Sequence, residues 1–127
     1  MGAWGTAIFS DDFASDIRSE YFILLSLDKT DDEVFQLIYQ YFYSQCDGTE
    51  EEPVFWFAVA LYQWNTGRLK ENVKKKTIEL IDIGADLLRW DTPDNQKNLK
   101  KRKIELEKLK QTMLSTQPPR KKSSNPQ

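Results

Sequence analysis

Asp12, Asp16 and Glu20 recur at every fourth position, a spacing that puts three carboxylates on one face of a helix. Glu79, Asp82 and Asp86 form a second, looser row. Carboxylate rows on facing helices can hold magnesium or manganese, which take oxygen ligands. A metal held there would orient water against a phosphate ester, so a divalent-metal phosphohydrolase using Asp12, Asp16 and Glu20 is one reading. Metal sites in helical bundles repeat Glu-x-x-Glu or Glu-x-x-His pairs on several helices, whereas this chain has two loose rows and no histidine. The expected state of these acids is therefore a solvated helix face. No catalytic, cofactor or metal-binding residue is assigned.

The missing histidine also excludes His-based triads and His general bases. Cys46 is the single cysteine, which excludes an intramolecular disulfide, a Cys-x-x-Cys redox pair and a structural zinc site. With no imidazole base and Asp47 as its neighbour, the Cys46 thiol is expected to stay protonated and to pack as a small hydrophobe. Glycine-rich phosphate loops are absent. Met1 to Thr6 fit the N-myristoylation pattern, but Gly2 is better read as backbone freedom beside Trp4.

Binding chemistry is better represented. The chain has a formal net charge of −2, and that average hides a split. Residues 1–52 carry twelve acids and two bases, and residues 53–127 carry eight acids and sixteen bases. Lys97, Lys100, Lys101, Arg102 and Lys103 form a candidate basic contact face for an acidic partner or a phosphate backbone. The four Trp, five Tyr and seven Phe all lie at or before Trp90, so the basic segment has no aromatic on which a base could stack. The acidic half that holds many of the aromatics repels phosphate, which argues against nucleic acid as the partner. Tyr39, Tyr43, Tyr62 and Trp64 instead form a candidate protein-binding rim, because Tyr and Trp are enriched at interface hot spots.

The elements that must position these residues read as helices. Phe13, Ile17, Tyr21 and Leu24 make a helical stripe over residues 11–27, with Ser10 or Asp11 as its cap. Thr30 and Glu33 have the capping-box spacing, and the second helix should bury Val34, Leu37, Ile38, Tyr41 and Phe42. Pro53 suits the first turn of a third helix, and the uncharged run Val54–Leu61 makes that helix the buried centre of the domain. A fourth helix over 70–83 turns Val73, Thr77, Leu80 and Ile81 inward and ends or kinks at Gly84. Thr92-Pro93-Asp94 opens a basic fifth helix, 93–114, whose thin stripe of Leu99, Leu106, Leu109 and Met113 leaves it peripheral or narrowly packed. Residues 115–127 are polar and Pro-rich and are expected to be a disordered tail.

The expected fold is thus all-α, a bundle of four to five helices in one domain, 1–114. No run approaches the ~20 apolar residues of a membrane span, and no secretory signal is visible, so a cytoplasmic protein is expected.

The opening stretch Met1-Gly2-Ala3-Trp4-Gly5, followed by Phe9, Asp11 and Asp12, is expected to be structural, with two glycines letting the backbone turn about a large ring. It resembles the start of a bacterial family of uncharacterised proteins, a domain of unknown function. The resemblance continues at Pro53–Ala58, Gln63-Trp64 with Gly67, Gly84–Trp90, Lys101-Arg102-Lys103 and Gln117-Pro118-Pro119. It implies a bacterial origin and, through similar small proteins, a toxin–immunity or phage-conflict setting. Relatives continue past the Pro-rich stretch into a β-rich region that this chain lacks. No catalytic residue is carried over. The expectation that combines both lines is a non-catalytic protein-interaction module with an unidentified protein partner.

Overall fold

The computed structural model describes residues 6–121. The roles expected of Gly2, Trp4 and Gly5 therefore lie outside the described residues, as does the end of the tail. The described residues are all-α, with no strand. A 3-10 turn, Ile8–Ser10, leads into α1 (Asp12–Leu25), which is followed by α2 (Asp31–Ile38). A π-helical segment, Tyr39–Tyr43, and a last turn, Ser44–Cys46, prolong α2. Then come α3 (Glu52–Asn65), α4 (Glu71–Asp82), a 3-10 turn (Leu87–Trp90) and α5 (Gln96–Leu114).

Local chemistry sets the helix ends. Asp11 caps α1 by accepting from the Phe13 amide at 3.1 Å. The capping box at α2 is complete, with Thr30 Oγ1 accepting from Glu33 N at 3.1 Å and Glu33 Oε1 from Thr30 N at 2.8 Å. Helices α3 and α4 end on glycines of positive φ, Gly67 at 71° and Gly84 at 70°. At each end two amides close back on the last turn. Gly67 and Arg68 donate to Trp64 and Gln63, and Gly84 and Ala85 donate to Ile81 and Leu80. Gly84 thus stops α4. The fifth helix starts later than its sequence signature suggests, because Pro93 sits in the turn that precedes it.

Helix α3 is the centre. It contacts α1, the π segment, α4 and α5, and it buries Val54, Phe55, Phe57, Ala58, Val59 and Ala60 completely. Trp56 and Leu61, expected within the core, are only partly buried at its edge.

Helix α5 packs on the bundle along its narrow seam, one of the two arrangements expected for it. Leu106, Leu109 and Met113 join the core that α3 centres, and Leu99 and Arg102 are buried nearer the start of the helix, which also packs on the Leu87–Trp90 turn. The thin stripe suffices because an ion pair takes the place of a missing apolar position.

The expected disordered tail needs correction. Residues 115–121 run extended across the α3–α4 turn. Gln117 Oε1 accepts from Leu69 N at 3.0 Å, Lys121 N donates to Thr66 O at 3.0 Å, and Arg68 Nη2 donates to Lys121 O at 2.7 Å. Arg120 forms an ion pair with Asp31 at the start of α2. This segment orders through polar contacts to backbone groups left over at a helix end, a route that hydropathy does not register.

Candidate protein-binding surface

The second helix departs most from its expected register. Val34, Ile38, Phe42 and Cys46, each four positions apart, form its inner row, and Phe35 is buried beside them. On a straight α-helix a four-residue repeat drifts by about 40° per step. The π segment takes up that drift, because a wider turn returns every fourth side chain to the same direction. Leu37 and Tyr41, expected in the core, therefore turn outward and are 38% and 64% exposed.

These two side chains meet α1. Glu20 and Leu24, one turn apart on α1, and Leu37 and Tyr41, one turn apart on the second helix, line a cleft of about 340 Å³. Leu37 also belongs to a shallow neighbouring cleft of about 390 Å³, with Lys29, Asp32, Glu33 and Gln36. Ile23, next to Leu24 in the chain, and Leu27, just beyond the end of α1, are 52% and 48% exposed. The result is an apolar stripe with a carboxylate border, in which Lys29 is the only cation among the lining residues.

The expected aromatic rim divides in two. Tyr39 and Tyr43 stack at 4.7 Å and pack edge-on to Phe55, with Trp56 beside them. The Tyr43 hydroxyl donates to Glu52, and that bond with the neighbouring carboxylate holds its proton well above the usual tyrosine range. Tyr62 lies at the other end of α3, its ring tilted against Tyr21 at 4.8 Å, and Trp64 packs partly against the core there. The four residues do not form one surface.

The expected basic face loses its central member. Lys97, Lys100, Lys101 and Lys103 are exposed, but Arg102 is fully buried. Its Nε donates to Asp86 at 2.6 Å, and its Nη1 donates to Thr6 O at 2.9 Å. Arg89 pairs with the second oxygen of Asp86 and with Asp11, each at 2.9 Å. Both guanidinium groups lie 5.3 Å from the Trp90 ring centre. Although burial opposes its charge, the carboxylates of Asp86 and Asp11 hold the Arg89 proton more tightly than usual. Asp11, Asp86, Arg89 and Arg102 thus form one buried network that joins the start of α1, the turn after α4 and the middle of α5.

Two members of the looser acid row are engaged by cations. Asp86 is held by two arginines, and Asp82 pairs with Lys110 at 2.6 Å. Among the described residues no group of three Asp, Glu or Cys side chains could hold a metal ion. Asp12 and Asp16 are exposed on α1, and Glu20 lies on the cleft. Phe9 is partly buried and lies under the Arg18 guanidinium at 4.7 Å. A cleft of about 390 Å³ is lined by Glu50, Glu52, Asp86 and Arg89; Asp86 and Arg89 pair with one another, and Glu52 accepts from Tyr43 and from the Gly48 amide. Cys46 is fully buried, and burial together with Glu52, Glu51 and Asp47 pushes its thiol up to about 12.

No helix among the described residues is long and apolar enough to cross a membrane. No family model matches the chain, and no curated protein or solved structure matches it either. The function is therefore read from the surface itself.

Proposed function

We propose that the protein is a non-catalytic interaction module that binds another protein through the α1–α2 face. The observation that carries this reading is the outward placement of Leu37 and Tyr41 against Leu24. A contiguous apolar stripe rimmed by polar groups marks an interaction site on a soluble domain. Tyrosine at its centre supplies a large contact area at low conformational cost. The buried polar residues are committed to ion pairs and hydrogen bonds that hold helices together, which supports a structural role for them rather than turnover. A neutralising, immunity-type role, in which one tight protein contact is the whole activity, agrees with this surface and with the bacterial resemblance of the opening motif.

The test is affinity capture from the native host with wild-type bait and with a Leu37→Ala/Tyr41→Ala double variant. A co-purifying protein retained by the wild type and lost from the variant supports the reading. The same capture by both baits refutes it.

A further inference from the structure

We infer that the occupant of the α1–α2 face is a basic amphipathic helix of the partner protein, a deepening that rests on the proposed function above. Charge chooses the sign of the occupant. Glu20, Asp32 and Glu33 border the stripe, and Lys29 is the one cation among the residues that line it. Asp32 is partly offset by its ion pair with Lys70, but its side chain stays 80% exposed and open to a second cation. Asp31, next to Asp32, is taken by Arg68 and Arg120, so the attraction for a cationic partner comes from Glu20, Asp32 and Glu33 at the clefts themselves.

Backbone chemistry chooses the form. The floor consists of two helices whose amides and carbonyls are engaged along their lengths, and the described residues contain no sheet edge that an extended peptide could join. A helix needs no such edge. It satisfies its own backbone and presents apolar side chains at i, i+3 or i+4 and i+7, which match a stripe one side chain wide. Lysine or arginine on its flanks would then lie beside Glu20 and Glu33. A second copy of this chain is the rival occupant, since α5 exposes Ile104 among lysines. Such a contact would be head-to-tail, building a ring or a filament of copies, and would show as an oligomer that grows with concentration.

The probe is a designed peptide of Leu, Lys and Ala with leucines at i, i+4 and i+7 and lysines flanking them. Its controls are a version with glutamate for lysine and a scrambled version. Calorimetry with the full chain is expected to show one-to-one binding of the lysine peptide alone. That binding should weaken ~tenfold in Leu37→Ala/Tyr41→Ala and fall as salt rises. It should be unchanged in Phe22→Ala, which alters an exposed ring on another side of α1. Equal binding of the glutamate or scrambled peptide, or equal loss in Phe22→Ala, overturns the inference. So does a concentration-dependent oligomer that Leu37→Ala/Tyr41→Ala dissolves. If host capture depends on Leu37 and Tyr41 while no lysine peptide binds, the face is an interface for other chemistry and this inference alone falls. If neither occurs, the proposed function falls with it.

Discussion

Arg102 and Asp86 form an ion pair of 2.6 Å between two side chains that are both removed from solvent. They are separated by sixteen residues and join the turn after α4 to the middle of α5. Taking two charges out of water is costly, and the pair tolerates it because Arg89, the Thr6 carbonyl and the Trp90 ring supply further partners. Removing one member leaves the other charged and buried. Asp86→Ala and Arg102→Ala are each expected to lower stability by about 3–5 kcal/mol. The double variant should lose clearly less than the sum of the two, because the orphaned charge is then absent. Denaturant melts of the four proteins check this, and additive losses would mean that the two groups do not stabilise one another.

Gly67 and Gly48 offer an internal comparison for the docked tail. Both have positive φ, 71° and 77°. A Cβ at Gly48 meets nothing within 4 Å, whereas one at Gly67 comes within 2.6 Å of the Arg120 backbone and 2.7 Å of the Pro118 carbonyl. Gly48→Ala should cost only the left-handed conformation, about 1–2 kcal/mol. Gly67→Ala should cost more, because it also displaces residues 118–120. Deleting 116–127 should lower the melting temperature and bring the cost of Gly67→Ala down to that of Gly48→Ala. A Gly67→Ala cost unaffected by the deletion would show that the tail does not lie on this turn.

Asp31 ties the start of α2 to the tail and to Arg68. Partial burial works against its charge, but the hydrogen bonds and charges of Arg120 and Arg68 prevail and hold its carboxyl below the usual aspartate range. A depressed carboxylate contributes stability that is present above its unfolded value, about 3.9, and lost as pH falls through the folded value beneath it. At neutral pH Asp31→Asn should therefore be less stable than wild type, by about 1 kcal/mol for such partly exposed pairs. The gap should close below about pH 4. Thermal melts across pH 2–7 measure it, and a gap that stays constant with pH would remove Asp31 from the account.

Cys46 is expected to be inert in the folded protein. Its thiol is buried, and its ionisation is pushed up to about 12. Alkylation by iodoacetamide at pH 8 should then be far slower than in the same chain unfolded by guanidinium, since the thiolate is the nucleophile. Rapid alkylation under native conditions would show that the end of the second helix opens readily.

The sequence by itself determined what rests on near neighbours. The all-α class, the capping box of Thr30 and Glu33, the stop at Gly67 and the central run Val54–Leu61 depend on hydrogen bonds or periodicity within a few residues, so spacing alone exposes them. The candidate surface was not legible in this way. Leu37 and Tyr41 have the same four-residue spacing as Val34, Ile38 and Phe42, and only the π turn packed against α3 decides which set faces the core. Arg102 reads as one more cation among lysines until Asp86 and the Thr6 carbonyl are brought to it from sixteen and ninety-six positions away. Tail residues with almost no apolar area are ordered by the leftover polar groups of a helix end fifty residues earlier. Each of these outcomes depends on contacts between segments distant in the chain, apolar packing for Leu37 and Tyr41 and polar pairing for Arg102 and the tail, and those contacts exist only once the helices have packed.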